Sequence, residues 1–166
     1  MAPKNPVQRS VTKPVSFIHR GAVITPLAEF ELQAIVLSKK RYIWDSMSRH
    51  VPYDLVLGWG PMSDQATIDQ LNIWQSNRFF FWQARHLPIP RSAISQHCSN
   101  MHIIPSDRAT KAALKMIKTG SIIDLKGFLV SVTRKDGKNI KSSLRRDDVG
   151  PGACEVIWAR ELWLKE

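Results

Sequence analysis

The sequence predicts an α+β fold: a bent, antiparallel sheet curled towards a barrel and carrying two main helices. Three observations lead there. First, residues 120–164 alternate apolar runs with turn residues, the tightest being Lys135-Asp136-Gly137-Lys138, where Asp-Gly suits a hairpin. They read as a three-stranded antiparallel meander. Second, Ala109, Ala112, Ala113, Met116 and Ile117 recur at helical spacing behind Ser106, with Gly120 as a stop, so a helix is expected over 107–118. Third, the apolar positions of the run 122–132 change phase at Gly127: Ile123 and Leu125 are odd, while Phe128, Val130 and Val132 are even. A bulge or bend at Gly127 would keep both sets inside, and bends of this kind curl small sheets into OB-like or SH3-like barrels.

The remaining elements follow in order. Residues 1–14 are polar, basic and proline-containing, which reads as a flexible tail ahead of a single domain over 15–166. Val15 to Ile18 and Ala22 to Leu27 are short apolar pieces interrupted by Gly21 and Pro26, an entry strand and a turn. Phe30, Leu32, Ala34 and Val36 alternate with polar residues and predict a strand that reaches solvent at Lys39-Lys40-Arg41. Leu55-Val56-Leu57 runs into the glycine loop Gly58-Trp59-Gly60-Pro61. Ser63 is placed to cap a second helix over 64–74, with Ile68, Leu71 and Trp74 on one face. Four consecutive aromatics, Phe79-Phe80-Phe81-Trp82, predict a buried strand, and 91–96 a short helix or turn.

With 166 residues and 43% hydrophobic content, the chain can bury a core without disulfide staples. No apolar run approaches the roughly 18 residues of a membrane span. The chain therefore reads as a soluble domain, or as the soluble part of a membrane-anchored envelope protein. A formal charge of +10 favours anionic partners, whether nucleic acid, an anionic membrane surface or an acidic polymer; a protein partner is equally open. No cofactor is implied. His97 and His102 lack the paired cysteines of a zinc site, so no metal is expected.

The residues able to carry chemistry fall in two groups. Asn100 and His102 lie in a compact polar and apolar string, with Cys98 just before them. Ser142, Ser143, Arg145, Asp147 and Glu155 concentrate hydroxyls, a guanidinium and carboxylates around a glycine-containing loop, a composition that can hold an anion. Cys98 and Cys154 are the only thiols, free or bridged.

Ile24-Thr25-Pro26-Leu27-Ala28, Leu57-Gly58-Trp59-Gly60-Pro61-Met62-Ser63, Ser99-Asn100-Met101-His102-Ile103-Ile104-Pro105, Gly127 with Leu129-Val130, and Ser142-Ser143-Leu144 through Gly152-Ala153-Cys154-Glu155 resemble strings of an uncharacterised family of conserved hypothetical bacterial proteins. The resemblance implies a domain often preceded by a membrane anchor, and it brings no activity with it. Arg145 and Val149 stand where that family leads one to expect threonines. The leading expectation is a non-enzymatic binding module using Asn100, His102 and the 142–155 loop; the alternatives are single-stranded nucleic-acid binding on a curled basic sheet, and a thiol or acid-base enzyme using Cys154 and His102.

Overall fold

The computed structural model describes residues 1–145 and 153–165. The chain opens with β1 (Val7–Ser10) and the hairpin of β2 (Phe17–His19) with β3 (Ala22–Arg41), which turns at Arg20 and Gly21, both at positive φ. β4 (Tyr53–Gly58) is buried at every position. A 3-10 turn, Gly60–Ser63, and the single-turn helix α1 (Gln65–Ile68) lead to a second hairpin, β5 (Asn72–Ser76) and β6 (Phe79–Gln83). Then come α2 (Arg91–Gln96), β7 (Cys98–Pro105), α3 (Arg108–Met116), β8 (Ile122–Thr133), β9 (Asn139–Lys141) and β10 (Glu155–Leu164).

The class is α+β, with one bent and partly ring-closed sheet. Strand order runs β1-β3-β4-β7-β10-β8-β9, β2 pairs with β3, and β8 pairs back onto β3. Closure depends on the length of β3: its 20 residues hold β8 along the first part and β4 along the last. The bend comes from extra residues at Leu27 and Leu37 in β3 and at Arg160 in β10, where the pairing register shifts. Pro26 adjoins the first of these, a place where its missing N–H is tolerated.

Inside the ring, Phe30, Leu32, Leu55, Leu57, Met101, Ile103, Leu125, Leu129 and Ile157 form the main core, which α3 completes with Leu114 and Ile117. The outer face carries two further apolar clusters. One gathers Ala22, Ile24, Ile104, Val130, Val132 and Val156. The other, Val56, Met62, Ile94 and Cys98, lies beneath the β5–β6 hairpin and packs against Phe80 and Trp82. Between these two clusters runs a polar strip on β4 and β7, and the candidate site is built there.

Several expectations need correction. The sheet is not wholly antiparallel, because β7 and β10 pair parallel. The last third is not a meander: β9 and β10 occupy successive stretches of the same edge of β8. Gly127 stays in register with Phe30 and Ala159, and the bulges lie in its neighbours instead. No change of face is needed there, because Ile123 packs inside the ring while Val130 packs on the outside, and both faces have a core. Gly127 is required for another reason: a Cβ there would sit 2.0 Å from the Trp158 carbonyl oxygen.

The helix expected over 64–74 is one turn long, since Trp74 is taken into β5. Ser63 does not cap it; its hydroxyl binds the Ala2 N–H and the Gly60 carbonyl. Asp107, not Ser106, caps α3 by accepting from the Thr110 N–H at 2.8 Å. The buried stripe of α3 is Thr110, Ala113, Leu114 and Ile117, with Met116 exposed, because Leu114 and Ile117 bring more apolar surface than the alanines. The aromatic strand is only half covered: Phe79 and Phe81 face outward in β6. Residues 1–14, expected to be a tail, carry β1, and Ala2 is fully buried.

Candidate active site

Sheet register builds the centre of the site. Antiparallel pairing sets Asp54 of β4 opposite His102 of β7, and parallel pairing sets His102 beside Val156 of β10. Side chains two residues apart on a strand share a face, so Asn100 joins His102, and Cys154 arrives on the same side just before β10 begins.

Asp54 has no exposed surface, and its carboxylate is fully engaged. Oδ1 accepts from His102 Nδ1 at 2.8 Å and from Arg78 Nη1 at 2.9 Å, and Oδ2 accepts a longer bond from Asn100 Nδ2 at 3.4 Å. Arg78 anchors this end of the network. Its guanidinium also grips Asp45 through Nε and Nη2, at 2.7 and 2.8 Å, donates to the Val51 carbonyl, and lies 3.7 Å from the centre of the Tyr42 ring. Asn100 is held from both sides, donating to the Arg78 carbonyl and accepting from Gln75, which in turn accepts from Ser38. Both oxygens of this buried carboxylate are therefore satisfied by donors.

With Nδ1 committed to Asp54, Nε2 is the nitrogen left to meet the Cys154 sulfur. Burial alone would lower the His102 pKa, but hydrogen bonds with Asp54 and Cys154, and their charges, outweigh it and push it up to about 9. Cys154 is half-buried and lines a cleft of about 460 Å³ together with Asn100, Ser99, Arg91 and the aromatics Trp74 and 79–82. Trp74 stacks on Phe81 at 5.7 Å, so the cleft wall is apolar and ready-formed.

The other thiol is different in kind. Cys98 is buried, donates to the Ile94 carbonyl, and is pushed up to about 12 by burial, so it remains a protonated packing residue. Both cysteines are unbridged.

The expected binding residues are thus only partly brought together. Asn100 and His102 are in the site. Ser142 and Ser143 serve the backbone: Ser142 Oγ accepts from the Val156 N–H at 3.1 Å, and the Ser143 N–H donates to the Cys154 carbonyl at 3.0 Å. They place Cys154 instead of lining a ligand surface. Glu155 is buried at the inner-face end and accepts from the Ser99 hydroxyl. Arg145 is exposed, its N–H bound to the Ser143 hydroxyl, and Asp147 lies outside the described residues. Among the described residues, no group of three or more His, Cys, Asp and Glu side chains is arranged to hold a metal.

Asp54, Arg78 and Asp45 were missed in the sequence. Asp54 left a signal, as a single carboxylate inside the apolar run Tyr53-Asp54-Leu55-Val56-Leu57, a setting that demands a partner. Arg78 left none, because only the β5–β6 turn, with Asn77 and Arg78 at positive φ, delivers it to Asp54.

Comparison of the chain with family models, curated proteins and solved structures finds no match to any of them.

Proposed function

We propose that this protein is a thiol enzyme of the acyl-transfer class. The observation that carries the proposal is the alignment of Cys154, His102 and Asp54 behind an aromatic cleft. In the proposed chemistry His102 already holds, as imidazolium, the proton taken from the Cys154 thiol; the sulfur attacks a carbonyl carbon and His102 Nε2 gives its proton to the leaving group. Water or another nucleophile then cleaves the acyl-cysteine and regenerates the thiol. Asp54 holds the ring in the orientation that turns Nε2 to the sulfur. We favour this over a non-enzymatic binding module because a binding surface has no need of a sulfur facing a buried His–Asp pair.

The test is alkylation. Cys154 is expected to react with iodoacetamide at neutral pH faster than glutathione does, and His102→Gln to lower that rate at least about tenfold. A p-nitrophenyl ester should give a burst of product that Cys154→Ser abolishes. Labelling of native Cys154 slower than glutathione would overturn the proposal.

A second reading rests on connectivity. The ring strands β3, β4, β7, β8 and β10 close in the order first-second-third-fifth-fourth-first, with α3 between the third and the fourth. That order supports an OB-like barrel, whose second and third strands present the ligand face. Here those strands are β4 and β7, and exposed Trp74, Phe79 and Phe81 lie over them with Arg91 nearby. Single-stranded nucleic acid would stack there, with affinity falling steeply in salt. Absence of oligonucleotide binding at low salt would end that reading.

A further inference from the structure

A second cleft lies where three loops meet, and it shares no lining residue with the Cys154 cleft. The β2–β3 turn brings Arg20 and Gly21, the segment after β3 brings Ser46, Arg49 and His50, and the β8–β9 turn brings Arg134, Lys135 and Asp136. The first and last of these turns are in close proximity, since a Cβ on Gly21 would lie 3.3 Å from Lys135 Cε. The cleft measures about 250 Å³. Four permanent cations face a single carboxylate, and Asp136 is already paired with Arg134 at 2.8 Å.

Arg20 and Arg49 also line an adjoining cleft of about 220 Å³ with Arg41 and Lys111, and no carboxylate is among its described lining residues. Holding this many like charges together costs free energy unless an anion is bound there. An independent observation comes from His50. Its ring lines the first cleft and is buried, and its Nδ1 has no hydrogen-bond partner among the described residues. Buried polar atoms are partnered as a rule, so this orphan in the wall of a cationic cleft is a bond that a ligand completes by turning the ring towards it.

We propose that these paired clefts form a binding site for a compact ligand carrying two or more phosphate groups, one bound in each cleft and both gripped by Arg20 and Arg49. Arginine suits this role because its planar fork meets phosphate oxygens bidentately. The compactness of the clefts, and the recessed positions of His50 and Arg134, favour a small oligophosphate over a long strand tracking the surface. The site goes beyond the thiol chemistry and does not depend on it.

The experiment titrates the full chain with inorganic tripolyphosphate by calorimetry at physiological salt, with sulfate as the single-anion comparison. Saturable binding below about 1 mM is expected, together with movement of the His50 ring resonances. Arg20→Ala and Arg49→Ala should each weaken binding at least about tenfold, while Arg9→Ala, which removes an equal charge from β1, should leave it unchanged. The His50 resonances of the unaltered protein keep the test decisive if an arginine variant fails to fold. Absence of saturable heat would overturn the proposal. So would equal weakening by Arg9→Ala, which would mean charge alone, or binding of a single-stranded oligonucleotide in preference to tripolyphosphate that survives loss of Arg20 and Arg49.

Discussion

Asp54 and His102 stand directly opposite each other on antiparallel strands, and their side chains meet at 2.8 Å inside the protein. A cross-strand pair like this is set by the ladder, so the orientation of the imidazole is a property of the sheet and not of a loop. Four predictions follow from this and related contacts.

Removing the carboxylate tests the network from its centre. Asp54→Ala strips His102 and Arg78 of a shared acceptor and leaves the guanidinium partly uncompensated; urea unfolding should show a loss of about 3–5 kcal/mol. Asp54→Asn keeps an acceptor and should cost less, while still slowing Cys154 alkylation.

The His102 pKa gives a pH dependence with a definite sign. The folded value of about 9 lies above the ordinary 6.5, so the folded state holds the proton more tightly than the unfolded chain. The resulting stabilisation is complete below about pH 6.5 and is lost as the pH rises through about 9, on the order of 3 kcal/mol in all. Denaturation curves from pH 6 to pH 10 should show this decline in the native protein, and a flatter profile in His102→Gln.

Gly127→Ala should be far more damaging than an ordinary strand substitution. The new Cβ would collide with backbone at Trp158, so β8 and β10 must separate. A cost of at least about 2–3 kcal/mol is expected by thermal unfolding. An unchanged melting temperature would disprove the close approach.

Lys39 ties β3 to the end of α3. Its ammonium donates to the Leu114 and Ile117 carbonyls at 2.5 and 2.7 Å, groups that a helix end leaves without partners. Lys39→Met keeps the apolar stem and removes the donors. About 1 kcal/mol should be lost, with hydrogen exchange quickening first in α3.

The legible parts of the fold were those whose signals are local. The 107–118 repeat, the Asp-Gly turn and the period-two run from Phe30 all describe neighbouring residues, and each appears close to where it was expected. The misreadings came from long-range pairing. Trp74 fits a helical face as well as a strand, and only the aromatics of β6 opposite it decide the matter. Odd and even apolar residues on β8 suggested a kink because one buried face was assumed, whereas the strand is covered on two. At the site, His102 and Cys154 were visible as residue types, but their alignment depends on a parallel pairing with a helix and two strands between its two partners. Asp54 could have been suspected from its apolar surroundings, and Arg78 could not.

The partly closed ring has one more consequence. Each of its five strands is bonded along both sides, so β4 and β7 cannot slide past one another without breaking contacts all the way round. Acid and imidazole therefore behave as a fixed jaw, and under the proposed thiol chemistry any adjustment to a substrate must come from the sulfur, carried where the chain rejoins the sheet.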